Sequence, residues 1–348
     1  MKIRFLEVPT LNIRNGNVVT SERWRLFLQS FGHDVAISSG RCDERCDLLV
    51  VFNAYKNRQA VRDARKNRTA RRIVICLTGT DLYLDLQKDP EAQDVLLLAD
   101  QLVVLQPMGI SALPRAVRNR AMVIFQSAVA PRIEVSREEE TFDVCCIAHL
   151  RTVKDPLLAA RAARLLPPDS SVRVLHVGKA LSVEYERAAA REVTENPRFT
   201  WLGELTGERT AEVLLGSRLL VMSSLLEGGA NVVSEAVVSG IPVIGTDIPC
   251  MRGLLGSDYP GLFPVGDARR LAELLHRAEV DGRYYHDLVA RCRRESYKFT
   301  PERERESLKI LVERLFVGEH FVVPAEAALL DQELSGSRFV EKFGERVG

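Results

Sequence analysis

Apolar runs alternate with stretches of helical spacing along this chain, and the plan occurs twice. In the first half, apolar runs predict strands near residues 2–8, 34–37, 47–52, 72–77, 101–105 and 121–126. Helical spacing falls between them at 20–31, 57–67 and 91–99. The second half predicts strands near 143–148, 172–177, 198–203, 218–223 and 241–245. Its helices lie near 155–165, 183–195, 208–216, 231–240 and 267–280. Runs such as Leu48-Leu49-Val50-Val51 are apolar on consecutive residues, so both faces of the strand are buried, as in a parallel sheet covered on two sides. Strand–helix alternation with short links predicts an α/β fold of doubly wound, Rossmann-like sheets.

A polar stretch without regular period, 130–140, separates the halves and is the expected domain boundary, with domains over 3–133 and 140–298. Length agrees, because 348 residues exceed the roughly 250–300 that one core usually serves. Two such domains on one linker are expected to leave a cleft. Ligands of open α/β sheets bind outside the carboxyl ends of the strands.

Composition removes several function classes. A net charge of +1 gives no global pull towards nucleic acid or anionic lipid. No apolar stretch approaches the roughly 20 residues needed to span a bilayer, and the opening residues do not read as a signal peptide, so a soluble, cytoplasmic protein is expected. Of seven cysteines, Cys76, Cys145 and Cys146 fall in predicted buried strands. Cys42 and Cys46 form a C-x3-C pair that no further ligand completes into a metal site.

The most informative segment is Leu226-Glu227-Gly228-Gly229-Ala230-Asn231-Val232-Val233-Ser234-Glu235. It follows the strand-like run 218–224 and opens a helix. A strand, a Gly-Gly turn and a helix N-terminus form an anion site, because free amides and the helix dipole face the turn. Two carboxylates beside such a turn suit a ligand bearing both phosphate and hydroxyl groups, such as a nucleotide-sugar. Arg151 and Lys154 follow the strand 143–148 and are candidate anion ligands, a solvated loop being the alternative. His176 reads as a packed strand-end residue rather than a catalyst. Asn15-Gly16-Asn17 reads as a turn or, after the first strand, as a ligand-facing loop. Asp81, in Thr78-Gly79-Thr80-Asp81, is divided between ligand contact and helix capping.

Residues 56–72 carry eight Lys/Arg and one acid, Asp63. Its apolar members are too small for insertion into a membrane interface, so a solvated basic face is expected, with steering of an anionic acceptor second and a membrane partner last.

The region 227–235 resembles the Glu-x7-Glu hallmark of GT-B glycosyltransferases of the large retaining family 4. Further segments resemble the selenosugar synthases of selenoneine biosynthesis: Asn15-Gly16-Asn17 with Thr20 and Arg23-Trp24, Leu77 to Tyr83, His149-Leu150-Arg151 with Lys154-Asp155-Pro156, Trp201 to Glu204, and Gly253 to Gly256 with Tyr259-Pro260-Gly261. The match runs from about residue 3 to about 300. The resemblance implies transfer of a sugar from UDP-N-acetylglucosamine, or a related UDP-sugar, to selenophosphate. Two alternatives stand beside it: transfer to a hydroxyl acceptor, and a non-catalytic nucleotide-sugar-binding protein.

By resemblance, Glu235 would accept hydrogen bonds from ribose hydroxyls, and Glu227 would contact the donor sugar near its reacting carbon. Gly228, Gly229 and Ala230 would lend amides to sugar and diphosphate, with Asn231 and Gly203 also on the donor side. Lys154 would neutralise the diphosphate as it departs. Many family members carry an arginine where this chain has His149. Either His149 or Arg151 could serve the diphosphate, with Arg151 favoured because its charge does not depend on pH. Asn15, Gly16, Asn17, Thr20, Thr80 and Asp81 would face the acceptor, with Arg14, Arg23 and Lys56 as looser cationic candidates. No Asp-x-Asp motif stands at a suitable strand end, so neither metal nor cofactor is expected. The resemblance also implies that a terminal helix, 301–316, packs back on the first domain. The tail 318–348 has no functional reading.

Overall fold

The computed structural model describes residues 1–8, 16–138 and 140–317. The chain forms two compact units. One holds the described residues of 1–127, then 227–231 and the helix Pro301–Val317; the other holds the described residues of 128–226 and 232–300.

The first unit contains six parallel strands: β1 (Lys2–Glu7), β2 (Asp34–Ser39), β3 (Cys46–Phe52), β4 (Ala70–Cys76), β5 (Gln101–Val104) and β6 (Ala121–Val123). Their order across the sheet is β2-β1-β3-β4-β5-β6. Parity along β3 shows why Leu48 to Phe52 is apolar without a break. Leu49 and Val51 join one core, with Ile73 and Ile75 of β4 and with Val61 and Ala64 of the helix Arg58–Asn67. Leu48, Val50 and Phe52 point the other way, to Trp24 and Leu28 of the helix Gly16–Ser30 and to Leu308, Leu311, Val312 and Leu315 of the helix Pro301–Val317. In the basic helix Arg58–Asn67, only Val61 and Ala64 are buried.

The second unit holds β7 (Phe142–Ile147), β8 (Val172–Val177), β9 (Phe199–Trp201), β10 (Leu219–Met222), β11 (Val243–Thr246) and β12 (Leu262–Phe263). These too are all parallel, in the order β12-β11-β10-β7-β8-β9. The alanines of the helix Leu158–Ala163 are buried, and their small side chains let it pack closely on the helix Ala268–Val280.

Several sequence-based elements shift. The expected helix 91–99 is a 3-10 turn, Pro90–Gln93, followed by one α-turn, Asp94–Leu97. Gly16-Asn17, read as a turn or a ligand-facing loop, forms the first turn of the helix Gly16–Ser30. The short β12 and the helices Pro249–Leu255 and Gly282–Glu295 were not expected.

One buried carboxylate ties the terminal helix into the first unit. Glu304 is 1% exposed. It accepts from Arg23 Nε (2.5 Å) and Nη2 (3.1 Å), Trp24 Nε1 (2.7 Å), Ser127 N (3.0 Å) and Ser127 Oγ. Removing one partner of such a pair strands the other charge in a poorly solvated place. Glu304→Ala should therefore destabilise the first unit by about 3–5 kcal/mol. Urea denaturation checks this, and a loss below about 1 kcal/mol would show the ion pair to be incidental.

Candidate functional site

Strand order fixes where each sheet offers a binding crevice. In the first sheet β2 lies on one side of β1 and β3 on the other, so the order reverses between β1 and β3. In the second, β8 and β9 extend from one side of β7, and β10 to β12 from the other. Ligands of open parallel sheets bind outside the strand carboxyl ends at such reversals. The segments that follow are Gly16 onward and Asn53–Asn57 in the first unit, Ala148–Lys154 after β7, and Ser223–Glu227 after β10.

After β7 the chain is braced by β8. His149 Nδ1 accepts the backbone N–H of Lys179 at 3.2 Å. With Nδ1 accepting, Nε2 is the ring nitrogen that can donate. Gly178 has φ +150°, and a Cβ there would run into the Ala148 carbonyl, so only glycine lets the two strand ends approach. Gly178 N–H donates to the Gly203 carbonyl at 2.7 Å, and Trp201 Nε1 donates to the Gly178 carbonyl at 2.8 Å.

Lys154 and the β10 exit are held together. Ser223 Oγ donates to the Lys154 carbonyl at 2.8 Å, and Leu225 N–H donates to the Val153 carbonyl at 2.9 Å. Thr246 Oγ1 in turn donates to the Ser224 carbonyl at 2.6 Å. The Lys154 stem thus rises from fixed backbone; Arg151 is exposed and Lys154 half-buried. Glu235 stands half-buried on the helix Asn231–Val238.

Residues 227–231 belong to the first unit, and their glycines have a role the sequence did not disclose. A Cβ on Gly228 would overlap the Thr78 carbonyl carbon and come within 2.7 Å of Gly79 N. A Cβ on Gly79 would stand 2.9 Å from Gly228 N. A Cβ on Gly229 would meet Gln126 Oε1 at 2.5 Å and Leu105 Cβ at 2.7 Å. These glycines admit another stretch of backbone rather than only a ligand. Glu227 is nearly buried and Ala230 is buried.

Three acceptor-side expectations are corrected. Asp81 is wholly buried, accepting from Ala54 N (2.7 Å), Thr78 N (2.8 Å) and Thr78 Oγ1 (2.8 Å). Burial pushes its carboxyl above the usual range, against those hydrogen bonds. It fastens the loops after β3 and β4 and does not present an anion to a ligand. Thr20 is 1% exposed; it donates to the Gly16 carbonyl (2.8 Å) and accepts from Gln126 Nε2 (2.6 Å). Arg23 is spent on Glu304 and reaches Asn231 Oδ1 at 3.3 Å. Asn231, expected on the donor side, turns its amide group to the Gly16 carbonyl at 3.1 Å.

Gly16 is exposed, Asn17 half-buried at the helix N-terminus, Thr80 half-buried and Lys56 exposed. Asn15 and Arg14 lie outside the described residues. Asn53, at φ +68°, was missed; its side chain donates to Thr78 Oγ1 at 3.2 Å and accepts from Lys56 N at 2.9 Å. An asparagine directly after a strand, a type that tolerates left-handed backbone, was the available signal.

Residues 131–298 match the family model described as glycosyl transferases group 1. The chain carries a glycosyl transferases group 1 domain. Among solved structures, this glycosyltransferase is similar to HepE from Anabaena in complex with UDP-glucose, with a TM-score of 0.72 and 15% identity over 90% of this chain and 99% of that one. It is also similar to sucrose-phosphate synthase from Thermosynechococcus elongatus (TM-score 0.74, 16% identity, 91% and 100% covered). The apo form of the lipopolysaccharide outer core galactosyltransferase WaaB gives a TM-score of 0.65 at 14% identity, with 92% and 100% covered. At such identities the likeness speaks for the fold, which is the expected α/β, GT-B class.

The second sheet of the glycosyltransferase also carries a buried titratable group. His176 is 1% exposed, donates from Nε2 to the Ala148 carbonyl at 3.0 Å, and keeps Nδ1 buried without a partner among the described residues. Burial lowers its pKa from 6.5 to about 4. The unfolded chain therefore binds this proton first, so the stabilisation is full above pH 6.5 and is lost as pH falls towards 4. The shift is worth about 3 kcal/mol. Urea denaturation between pH 7 and pH 4 should show a flatter decline for His176→Gln than for the wild type; parallel declines would contradict this.

Proposed function

We propose that this glycosyltransferase uses a UDP-sugar, with UDP-N-acetylglucosamine first, and transfers the sugar to selenophosphate to give a 1-seleno sugar. The observation that carries the donor half is the juxtaposition after β7 and β10. There the Arg151–Lys154 loop is hydrogen-bonded to the segment leading into Glu227. Support for a UDP-sugar comes from the group 1 domain and from HepE, whose structure holds UDP-glucose. Support for selenophosphate is the resemblance of the segments around Asn15-Gly16-Asn17, Leu77 to Tyr83 and His149 to Pro156.

In this reading selenium attacks the anomeric carbon while the bond from that carbon to the diphosphate oxygen breaks, and its electron pair goes to UDP. Loss of the phosphoryl group to water then leaves the 1-seleno sugar. Lys154 and Arg151 meet the negative charge that grows on the leaving diphosphate, with His149 Nε2–H as a further donor. Glu227 contacts the donor sugar and Glu235 the ribose. Backbone amides near Gly16 and Asn17, rather than the neutralised Arg23, receive the small anion. The cations carry the neutralisation, and no metal takes part.

Incubation with UDP-N-acetylglucosamine and selenophosphate should release UDP and a product with the mass of a seleno sugar. Turnover only with hydroxyl acceptors would favour the alternative chemistry, and no donor turnover with any acceptor would favour a binding protein.

Two substitutions separate the roles. Lys154→Ala should lower kcat/KM on the order of 10²–10³-fold, because its cation acts on charge present only as the bond breaks. Glu235→Ala should mainly raise the donor KM, because ribose contacts exist before and during reaction. Steady-state kinetics showing the same pure KM effect for both would defeat the assignment.

A further inference from the structure

A second basic feature of the first unit stands apart from the strand carboxyl ends. A cavity of about 490 Å³ opens where β3 and β4 begin, lined by Arg45, Arg65, Arg68 and Arg71 together with Thr69, and no carboxylate lines it. The strands start at Cys46 and Ala70 beside it, so it lies at the end of the sheet opposite the binding crevice.

The four guanidiniums are not equally committed. Arg65 donates to the Leu98 carbonyl at 2.6 Å and pairs with Asp100, which also serves Arg72 at 3.2 Å. Arg71 stacks over Phe316, 5.3 Å from the ring centroid. Arg45 and Arg68 have no side-chain partner among the described residues. The neighbouring acids are engaged elsewhere: Glu44 by Lys2 and Arg4, Asp47 by Lys2 N, and Asp43 by Arg41. Thr69 Oγ1 is buried without a hydrogen-bond partner among the described residues.

The negative end of the helix Arg58–Asn67 accounts for cations at Arg65 and Arg68. It does not account for Arg45 and Arg71, which come from the strand starts. Arg68 is also costly where it stands. It caps the helix at φ +53°, with its N–H bonded to the Arg65 carbonyl (3.4 Å) and Thr69 N–H bonded to the Ala64 carbonyl (3.1 Å). That is the Schellman position glycine usually fills, because a Cβ disfavours left-handed backbone. An arginine there keeps a charge at the expense of local stability.

We propose that this arginine-lined cavity is a binding site for a polyphosphate anion, free or as the phosphate chain of a nucleotide. Clustered guanidiniums give planar, bidentate donors for phosphate oxygens, and Thr69 Oγ1 supplies a further hydroxyl. The site is separate from the donor reading and does not depend on it.

Calorimetric titration of the full chain with inorganic triphosphate at low ionic strength tests the site, with ATP as a second arm and UDP as control. Wild type should bind triphosphate at this site. Arg45→Gln with Arg71→Gln should weaken binding at least tenfold, and Arg68→Gly should do likewise while raising Tm, so that lost binding is not lost folding. UDP affinity should stay unchanged in all of them. Equal losses with ATP mark a nucleotide phosphate chain as ligand, and losses with triphosphate alone mark the free anion. Absence of triphosphate binding, triphosphate affinity indifferent to these variants, or binding only to phosphatidylglycerol vesicles would overturn the proposal.

Discussion

The tightest constraint in the first unit is the approach of two backbones, at Thr78–Gly79 and at Gly228, where neither glycine can carry a Cβ without overlap. Much else follows from keeping that approach closed. Asp81 is buried in order to hold the Thr78 amide and hydroxyl, and it also fixes Ala54 at the exit of β3. Asn53 takes a left-handed conformation and spans to Thr78, and Gly229 gives up its side chain to Leu105 and Gln126. The turn that opens the Glu-x7-Glu segment is therefore set by packing before any ligand arrives, the kind of preorganisation that charge stabilisation requires.

Electrostatics in the same unit are arranged around Glu304. Its saturated carboxylate neutralises Arg23, and through Arg23 and Asn231 the last helix is linked to the Gly16 carbonyl at the start of the first helix. The link joins residues 281 positions apart. One consequence is chemical: a cation that looked available to an anionic acceptor is already paired.

Much of the fold was legible in the sequence because it is written locally. Buried parallel strands such as β3 and β10 carry continuous apolar runs, Leu48 to Phe52 and Leu219 to Met222, and helices such as Val183–Glu195 and Ala268–Val280 start at Ser182 and Asp267, whose side chains cap them. What failed was either too short or non-local. β12 has two residues and no period to read, and Pro90 broke a helical pattern into two turns. The Glu-x7-Glu segment stood out as a candidate, and its glycines were read as lending amides to a ligand. Their actual neighbours, Thr78, Gly79, Leu105 and Gln126, are far away along the chain. Thr20 and Asp81 misled for the same reason: polar residues near a strand exit resemble ligand contacts until their distant partners are known.

The central claim is that the Gly228 turn, held closed against Thr78–Gly79, sets the geometry of the segment proposed to meet a UDP-sugar. Gly228→Ala probes it most directly, since one added methyl group forces the two backbones apart and changes no charge. The measurement is UDP affinity by calorimetry, with far-UV circular dichroism to confirm that the variant remains folded. The account predicts a folded protein whose UDP affinity falls at least tenfold. A folded variant that binds UDP as tightly as the wild type would contradict it.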